Sequence, residues 1–150
     1  MINSSSNKRL WYLSGGMQKF GAEEIDKSNN WREDLKNRIS SISDGNILAF
    51  NPNEHFSMLT NPETYTDREV MNLDIYKLRK SELIIYSNND PKSRGSMIEL
   101  GIGYERQIPI FTLNEDNNEI HCWVKNISEK IFNSREELIL YLQEHYVRGD

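Results

Sequence analysis

Two carboxylates and one glycine-containing turn are the residues of this chain best placed to do chemistry. Glu99 stands four residues after Gly95, in Ser93-Arg94-Gly95-Ser96-Met97-Ile98-Glu99-Leu100-Gly101, at or near the first turn of an expected helix. A helix N-terminus stabilises a carboxylate and supplies backbone N–H donors beside it. A glutamate kept ionised and oriented in this way is equipped to attack an anomeric carbon. The same position also suits a surface glutamate that complements the helix dipole. Asp74, in Asn72-Leu73-Asp74-Ile75, falls within a second expected helix. It could protonate a leaving base, hold a sugar hydroxyl, or stand as a solvated aspartate of the helix face. Around Gly95, the hydroxyls of Ser93 and Ser96 with nearby amides could form an anion nest, and Arg94 could add a charge-assisted contact to a 5′-phosphate. An ordinary N-capped turn uses the same residues.

Other chemistries find less support. Gly101-Ile102-Gly103 lacks the third glycine of a dinucleotide fingerprint and falls in mid-helix, and no Walker loop is present. His55, His121 and His145 form no H-x-x-x-H pair, and Cys122 is the single cysteine, so neither a metal nor another cofactor is expected. No G-x-S-x-G elbow occurs.

The elements that must position these residues follow from the apolar runs. Arg9 to Leu13 is a run of strand length that stops at Ser14-Gly15-Gly16. A strand ending in a small turn of this kind begins a phosphate- or sugar-accommodating loop in α/β proteins. Met17 or Phe20, just after it, could stack on a planar base. Further strands are expected at Ile47 to Phe50, Leu83 to Tyr86 and Ile108 to Leu113, with Ile120 to Lys125 and Lys130 to Phe132 as a final strand or pair. Helical spacing of Trp31, Leu35, Ile39 and Ile42 predicts a helix from Asn30 to Ile42, stopped by Asp44-Gly45. Helices are also expected from Asp67 to Lys80, from the Gly95 turn to about Arg106, and after Ser134, whose Ser-x-x-Glu pattern reads as a capping box. Pro52 to Thr66, with His55 and Met58, is a long polar connection that could act as a lid.

Strands that are continuous apolar runs and alternate with helices predict a parallel sheet covered on both faces. In such sheets ligands lie beyond the carboxyl ends of the strands. The loops starting at Ser14, Asn51 and Ser87 should therefore share one rim. The chain has 150 residues, enough for one domain, here 9–148 after a flexible tail at 1–8. Its net charge of −5 disfavours a nucleic-acid polymer or an anionic membrane as partner, though not a single phosphate in a local pocket. No apolar stretch of signal-peptide or membrane-spanning length is present, so a soluble cytoplasmic protein is expected.

Tyr12-Leu13-Ser14-Gly15-Gly16-Met17, then Asn30-Trp31-Arg32, Asn72-Leu73-Asp74, the Ser93 to Gly101 stretch and Ile108-Pro109-Ile110-Phe111 form an ordered set. This set resembles the nucleoside 2-deoxyribosyltransferase superfamily, over roughly residues 9–142. The superfamily includes base-exchanging transferases and 2′-deoxynucleoside 5′-phosphate N-hydrolases. The resemblance implies a flavodoxin-like three-layer sandwich with a mainly parallel five-stranded sheet. It implies a homo-oligomer, dimer or higher, acting on a small nucleoside or nucleotide. Glu99 would be the nucleophile that forms a covalent glycosyl-enzyme, and Asp74 the aspartate near base and sugar. Tyr12, Ser14, Gly15, Gly16, Met17, Trp31, Asp90, Ser93, Arg94 and Gly95 would bind substrate. Ser93 stands where free-nucleoside transferases often carry an acid; a serine beside Arg94 would accept a phosphate that an aspartate would repel. Asp90 could replace the missing acid for a free nucleoside. Two further readings are a protein that binds a nucleotide or ribose derivative without turnover, as a sensor or sequestering protein, and an NAD-cleaving enzyme.

Overall fold

The computed structural model describes residues 8–16, 22–52 and 66–148. Met17, Phe20, His55 and Met58 lie outside the described residues. Strand β1 (Arg9–Gly15) is followed by α1 (Ala22–Ile42), β2 (Ile47–Phe50), α2 (Asp67–Arg79), β3 (Leu83–Ser87) and α3 (Arg94–Glu105). Then come β4 (Ile110–Leu113), α4 (Cys122–Ile127), β5 (Lys130–Phe132) and α5 (Arg135–Leu142), which runs into a π-helical turn at Gln143–Val147. The five strands form one sheet in the order β2-β1-β3-β4-β5. All four neighbouring pairs are parallel, as the unbroken apolar runs predict. The chain leaves β1 toward β2 and then crosses to β3 on the other side of β1. The order therefore reverses between β1 and β3, where an open α/β sheet forms its ligand crevice.

Alternation along each strand divides the core into two layers. Trp11, Leu13 and Ile85 pack with Trp31, Leu35 and Ile39 of α1 and Leu138 and Leu142 of α5. Tyr12, Ile84 and Tyr86 pack with Leu78 of α2, Leu100 of α3 and Val124 of α4. Each fully buried leucine or isoleucine contributes about 1.5–3 kcal/mol by leaving water. The second layer is drawn tight at Gly103, where a Cβ would sit 2.3 Å from Ile84 Cδ1. Gly103 thus belongs to helix–sheet packing, while Gly101 is exposed with open space beside it.

Two expectations are corrected. Helix α1 begins at Ala22, eight residues before Asn30. Its first turns, Ala-Glu-Glu-Ile-Asp-Lys-Ser-Asn, carry good helix formers and early acids but no apolar stripe in their sequence, so periodicity signals only the half from Asn30 on. Residues Ile120 to Lys125 are not a strand. His121 caps α4, its Nδ1 accepting from Trp123 N at 3.1 Å, and only Val124 of that helix is buried. A short apolar run is equally compatible with a strand or a brief helix. Elsewhere the local signals hold. Gly45 takes φ 75° after α1 and its N–H closes on Ser40 O at 2.8 Å. Ser134 Oγ accepts from Glu137 N at 3.2 Å. Helix α2 carries a complete capping box between Thr66 and Glu69.

Candidate active site

Tyr12 and Ser14 stand two residues apart on β1, so both point to the same face of the sheet. There they meet Glu99 of α3. The Tyr12 hydroxyl donates a short hydrogen bond to Glu99 Oε2, and Ser14 Oγ donates to Glu99 Oε1 at 3.2 Å. Both carboxylate oxygens are therefore held by residues more than eighty positions away in the chain. Glu99 is the sixth residue of α3, not a first-turn residue, and that first turn carries no acid. The helix terminus is thus not what governs it. Burial pushes its carboxyl up to about 7, opposed by the Tyr12 hydrogen bond, the Arg32 charge and the Ser14 hydrogen bond; the Asp74 charge adds to the rise. The expectation of a fully ionised, dipole-stabilised glutamate gives way to a desolvated one that titrates near neutrality. Burial and the charges of Glu99 and Asp74 push the Tyr12 phenol far above its ordinary range, which keeps it a donor.

Arg32 supplies the compensating charge. It is 1% exposed, an unusual burial for a guanidinium. Its Nη2 donates to Gly15 O at 2.8 Å and its Nε reaches Leu13 O at 3.5 Å, while its guanidinium lies 4.7 Å from the Trp31 ring centre. Burial brings it down to about 10, so it stays protonated at neutral pH. Arg32 is a site residue that sequence reasoning did not assign. Its signal was a lone cation beside Trp31 on the apolar stripe of α1. Asp74, half-buried on α2, acts electrostatically on Tyr12, Arg32 and Glu99.

The Gly15-Gly16 turn is shaped by close approach. A Cβ on Gly15 would lie 2.8 Å from Trp31 Cζ2, and one on Gly16 would lie 2.5 Å from Asp90 Cβ. The first loop thus touches the third loop at Asp90, whose Oδ1 accepts from Lys92 N at 3.2 Å. Gly16→Val is expected to cost about 1–3 kcal/mol by displacing Asp90. Urea unfolding of Gly16→Val alone and with Asp90→Gly checks this; an undiminished loss in the double variant would exclude the clash as its cause.

The third loop is pinned by asparagines. Tyr86 Oη donates to Asn88 Oδ1 at 3.0 Å, Asn88 Nδ2 donates to Asn114 Oδ1 at 3.2 Å, and Asn118 Nδ2 donates to Asn88 O at 2.9 Å. Ser93 is the N-cap of α3; its Oγ accepts from Ser96 N at 3.3 Å and from Ser96 Oγ at 2.9 Å. Having accepted two bonds, Ser93 keeps its own proton for an outward partner. Arg94 and Gly95 are exposed beside it.

The structure thus brings Tyr12, Ser14 and Glu99 into contact, with the Asp74 charge acting on Tyr12 and Glu99, and sets Gly16 against Asp90. Trp31 does not join Glu99; it packs in the other core layer, beneath Gly15. Among the described residues no cluster of His, Cys, Asp and Glu could hold a metal ion, and no helix is long and apolar enough to cross a membrane.

Several solved structures share this architecture. A 2-deoxyribosyltransferase from Bacillus psychrosaccharolyticus superposes with a TM-score of 0.66 at 15% identity, covering 87% of this chain and 90% of that one. The two chains share one fold. The 2-deoxyribosyltransferase of Leishmania mexicana gives a TM-score of 0.62 at 17% identity, over 92% of this chain and 99% of its own. The CMP N-glycosidase of Clostridium botulinum gives 0.58 at 17% identity, over 91% and 100%. No family profile and no curated protein matches the chain. At such identities the likeness is one of fold.

Proposed function

We propose that the protein cleaves the N-glycosidic bond of a (deoxy)nucleoside or its 5′-monophosphate, passing the sugar through Glu99 to another base or to water. The observation that carries this reading is the grip of Tyr12 and Ser14 on both oxygens of a half-buried carboxylate at the switch point of the sheet. Structures of the same fold that transfer deoxyribose or hydrolyse CMP support it. In the first step a Glu99 oxygen forms a bond to C1′ as the C1′–N bond breaks. The electron pair leaves with the base nitrogen, which takes a proton from Asp74. In the second step water or a second base attacks C1′, returns a proton to Asp74 and frees the Glu99 carboxylate. Ser93, with its unused proton, and the exposed Arg94 favour a 5′-phosphate on the substrate.

The test is incubation with a panel of deoxynucleosides and deoxynucleotides, with and without an acceptor base. Base release or exchange is expected, and equal inertness of wild type and Glu99→Ala on every compound would overturn the reading. Because the nucleophile is the ionised form, kcat/KM should rise with pH through about 7, the position to which burial brings Glu99. A profile flat from pH 5 to pH 8 would contradict a nucleophile with that titration.

A further inference from the structure

The third loop, between β3 and α3, carries Asp90 and Ser93, and Asn88 fixes where it starts. Asn88 is 2% exposed and its polar groups are all committed. Its Oδ1 accepts from Tyr86 Oη at 3.0 Å, and its Nδ2 donates to Asn114 Oδ1 at 3.2 Å and to Glu119 O at 3.3 Å. Its backbone N–H donates to Leu113 O at 2.9 Å, and its carbonyl accepts from Asn118 Nδ2 at 2.9 Å. The fourth loop, after β4, is itself closed. Asn114 Nδ2 donates to Asn118 O at 2.9 Å and Asn114 Oδ1 accepts from Asn118 N at 3.2 Å. Asn117 in that turn takes φ 50°, a conformation that asparagine tolerates better than most residues. Asn88 therefore leans on a loop with a defined shape.

A carboxamide matches these partners. The Tyr86 hydroxyl needs an acceptor, while Asn114 Oδ1 and Glu119 O need a donor. An aspartate would set its charge against two carbonyl oxygens, and an alanine would leave the Tyr86 hydroxyl without its acceptor. Burial and the Asp90 charge push the Tyr86 phenol up to about 12, so it remains a donor at neutral pH. At its far end the third loop is held by α3, where Ser93 N donates to Asp90 O at 3.1 Å. Pro91 and Lys92 between them are exposed. Asp90, which closes on Gly16, thus takes its place from Asn88 on one side and from α3 on the other.

Glu99 is anchored by other residues. Tyr12 and Ser14 of β1 hold its two oxygens, and among the described residues no hydrogen bond of Asn88 reaches Tyr12, Ser14 or Glu99. The grip on the carboxylate and the grip on the third loop are therefore separate. We propose that Asn88 is a positioning residue: by tying the third loop to Tyr86 and to the fourth loop, it holds Asp90 and Ser93 against the substrate and so sets substrate affinity, while Tyr12 and Ser14 set the reactivity of Glu99. The proposal rests on the N-glycosidic reading, which puts Ser93 at the 5′ end of the substrate. A contact made equally in the ground and transition states appears in KM and leaves kcat alone. A residue that only kept the chain folded would lower the active fraction, and with it kcat, at constant KM.

The test compares the full chain with Asn88→Ala by initial-rate kinetics, on the most readily cleaved compound of the deoxynucleoside and deoxynucleotide panel. Asn88→Ala is expected to raise KM about tenfold while kcat and its rise with pH stay in place. Tyr86→Phe and Asn118→Ala each remove one bond of the network, and each should raise KM by a smaller factor. They carry the test if Asn88→Ala does not fold. The proposal is overturned if KM is unchanged, if kcat alone falls, or if the pH dependence of kcat moves, since the last would mean that Asn88 acts on Glu99. The same compounds are titrated by calorimetry into Glu99→Gln with and without Asn88→Ala, where the second change should weaken Kd about tenfold. An inert wild type would overturn the N-glycosidic reading, and the calorimetry would still decide the role of Asn88. Equal Kd values, or no binding of any compound, would overturn the positioning role.

Discussion

Glu99→Gln is expected to lose base release by on the order of 10⁴-fold or more while gaining stability above neutral pH, and the two effects share one cause. Glutamine keeps the shape of the side chain and an acceptor for the Tyr12 hydroxyl. It removes the oxygen nucleophile and the buried charge. In the wild type, burial raises the carboxyl from 4.5 to about 7. The folded state therefore binds the proton more tightly than the unfolded chain. The stability this confers is fully present below about pH 4.5 and is lost as pH rises toward 7. The whole loss is on the order of 3 kcal/mol at about 1.4 kcal/mol per pKa unit. Glu99→Gln escapes it, so its advantage in urea unfolding should be largest at pH 8 and should vanish near pH 4. A variant that loses activity but shows the same pH dependence of stability as wild type would mean that Glu99 is solvated, and its place in the site would have to be reconsidered.

This trade, a cost in stability for a carboxylate that titrates near neutrality, was only partly legible in the sequence. Strands β1 to β4 were, because their apolar runs are cut by Ser14-Gly15-Gly16, Asn51-Pro52, Ser87-Asn88 and Asn114, although β1 runs on through Ser14 and Gly15 and β4 begins at Ile110 rather than Ile108. Helix α1 was legible only where Trp31, Leu35 and Ile39 face the sheet. The sequence of its first turns, Ala-Glu-Glu-Ile-Asp-Lys-Ser-Asn, carries no apolar period to read. The motif around Glu99 drew attention to the residue, but for a local reason, the helix terminus. The contacts that set its chemistry come from Tyr12 and Ser14, and they exist only once α3 lies across β1. No local pattern encodes that separation. Arg32 was hidden for a similar reason. A lone cation on an apolar stripe reads as a snorkelling surface side chain until the carbonyls of Leu13 and Gly15 are seen to receive it. Trp31, expected among the substrate-binding residues, packs in the α1 core layer against Gly15 and Arg32, which its place on the apolar stripe already allowed.

Arg32 connects the two faces, and its removal should be the most damaging single change to the fold. Arg32→Gln deletes a buried positive charge near Glu99 and Asp74 and withdraws donors from Gly15 O and Leu13 O. Breaking a buried charge network in this way costs about 3–5 kcal/mol, because the partners stay buried without compensation. The direction of the electrostatic effect is equally definite. Arg32 lowers the Glu99 carboxyl, so without it burial and Asp74 act unopposed by that charge, and the carboxyl rises above about 7. The alkaline shift should appear in the ¹³C titration of the Glu99 carboxyl and in the rising limb of kcat/KM. Arg32→Lys separates charge from geometry. A lysine keeps the positive charge but lacks the planar fork that reaches two carbonyls, so it should restore most of the titration and only part of the stability. If Arg32→Gln instead unfolds within about 1 kcal/mol of wild type and leaves the Glu99 titration in place, the guanidinium is a packing element of the Trp31 layer alone.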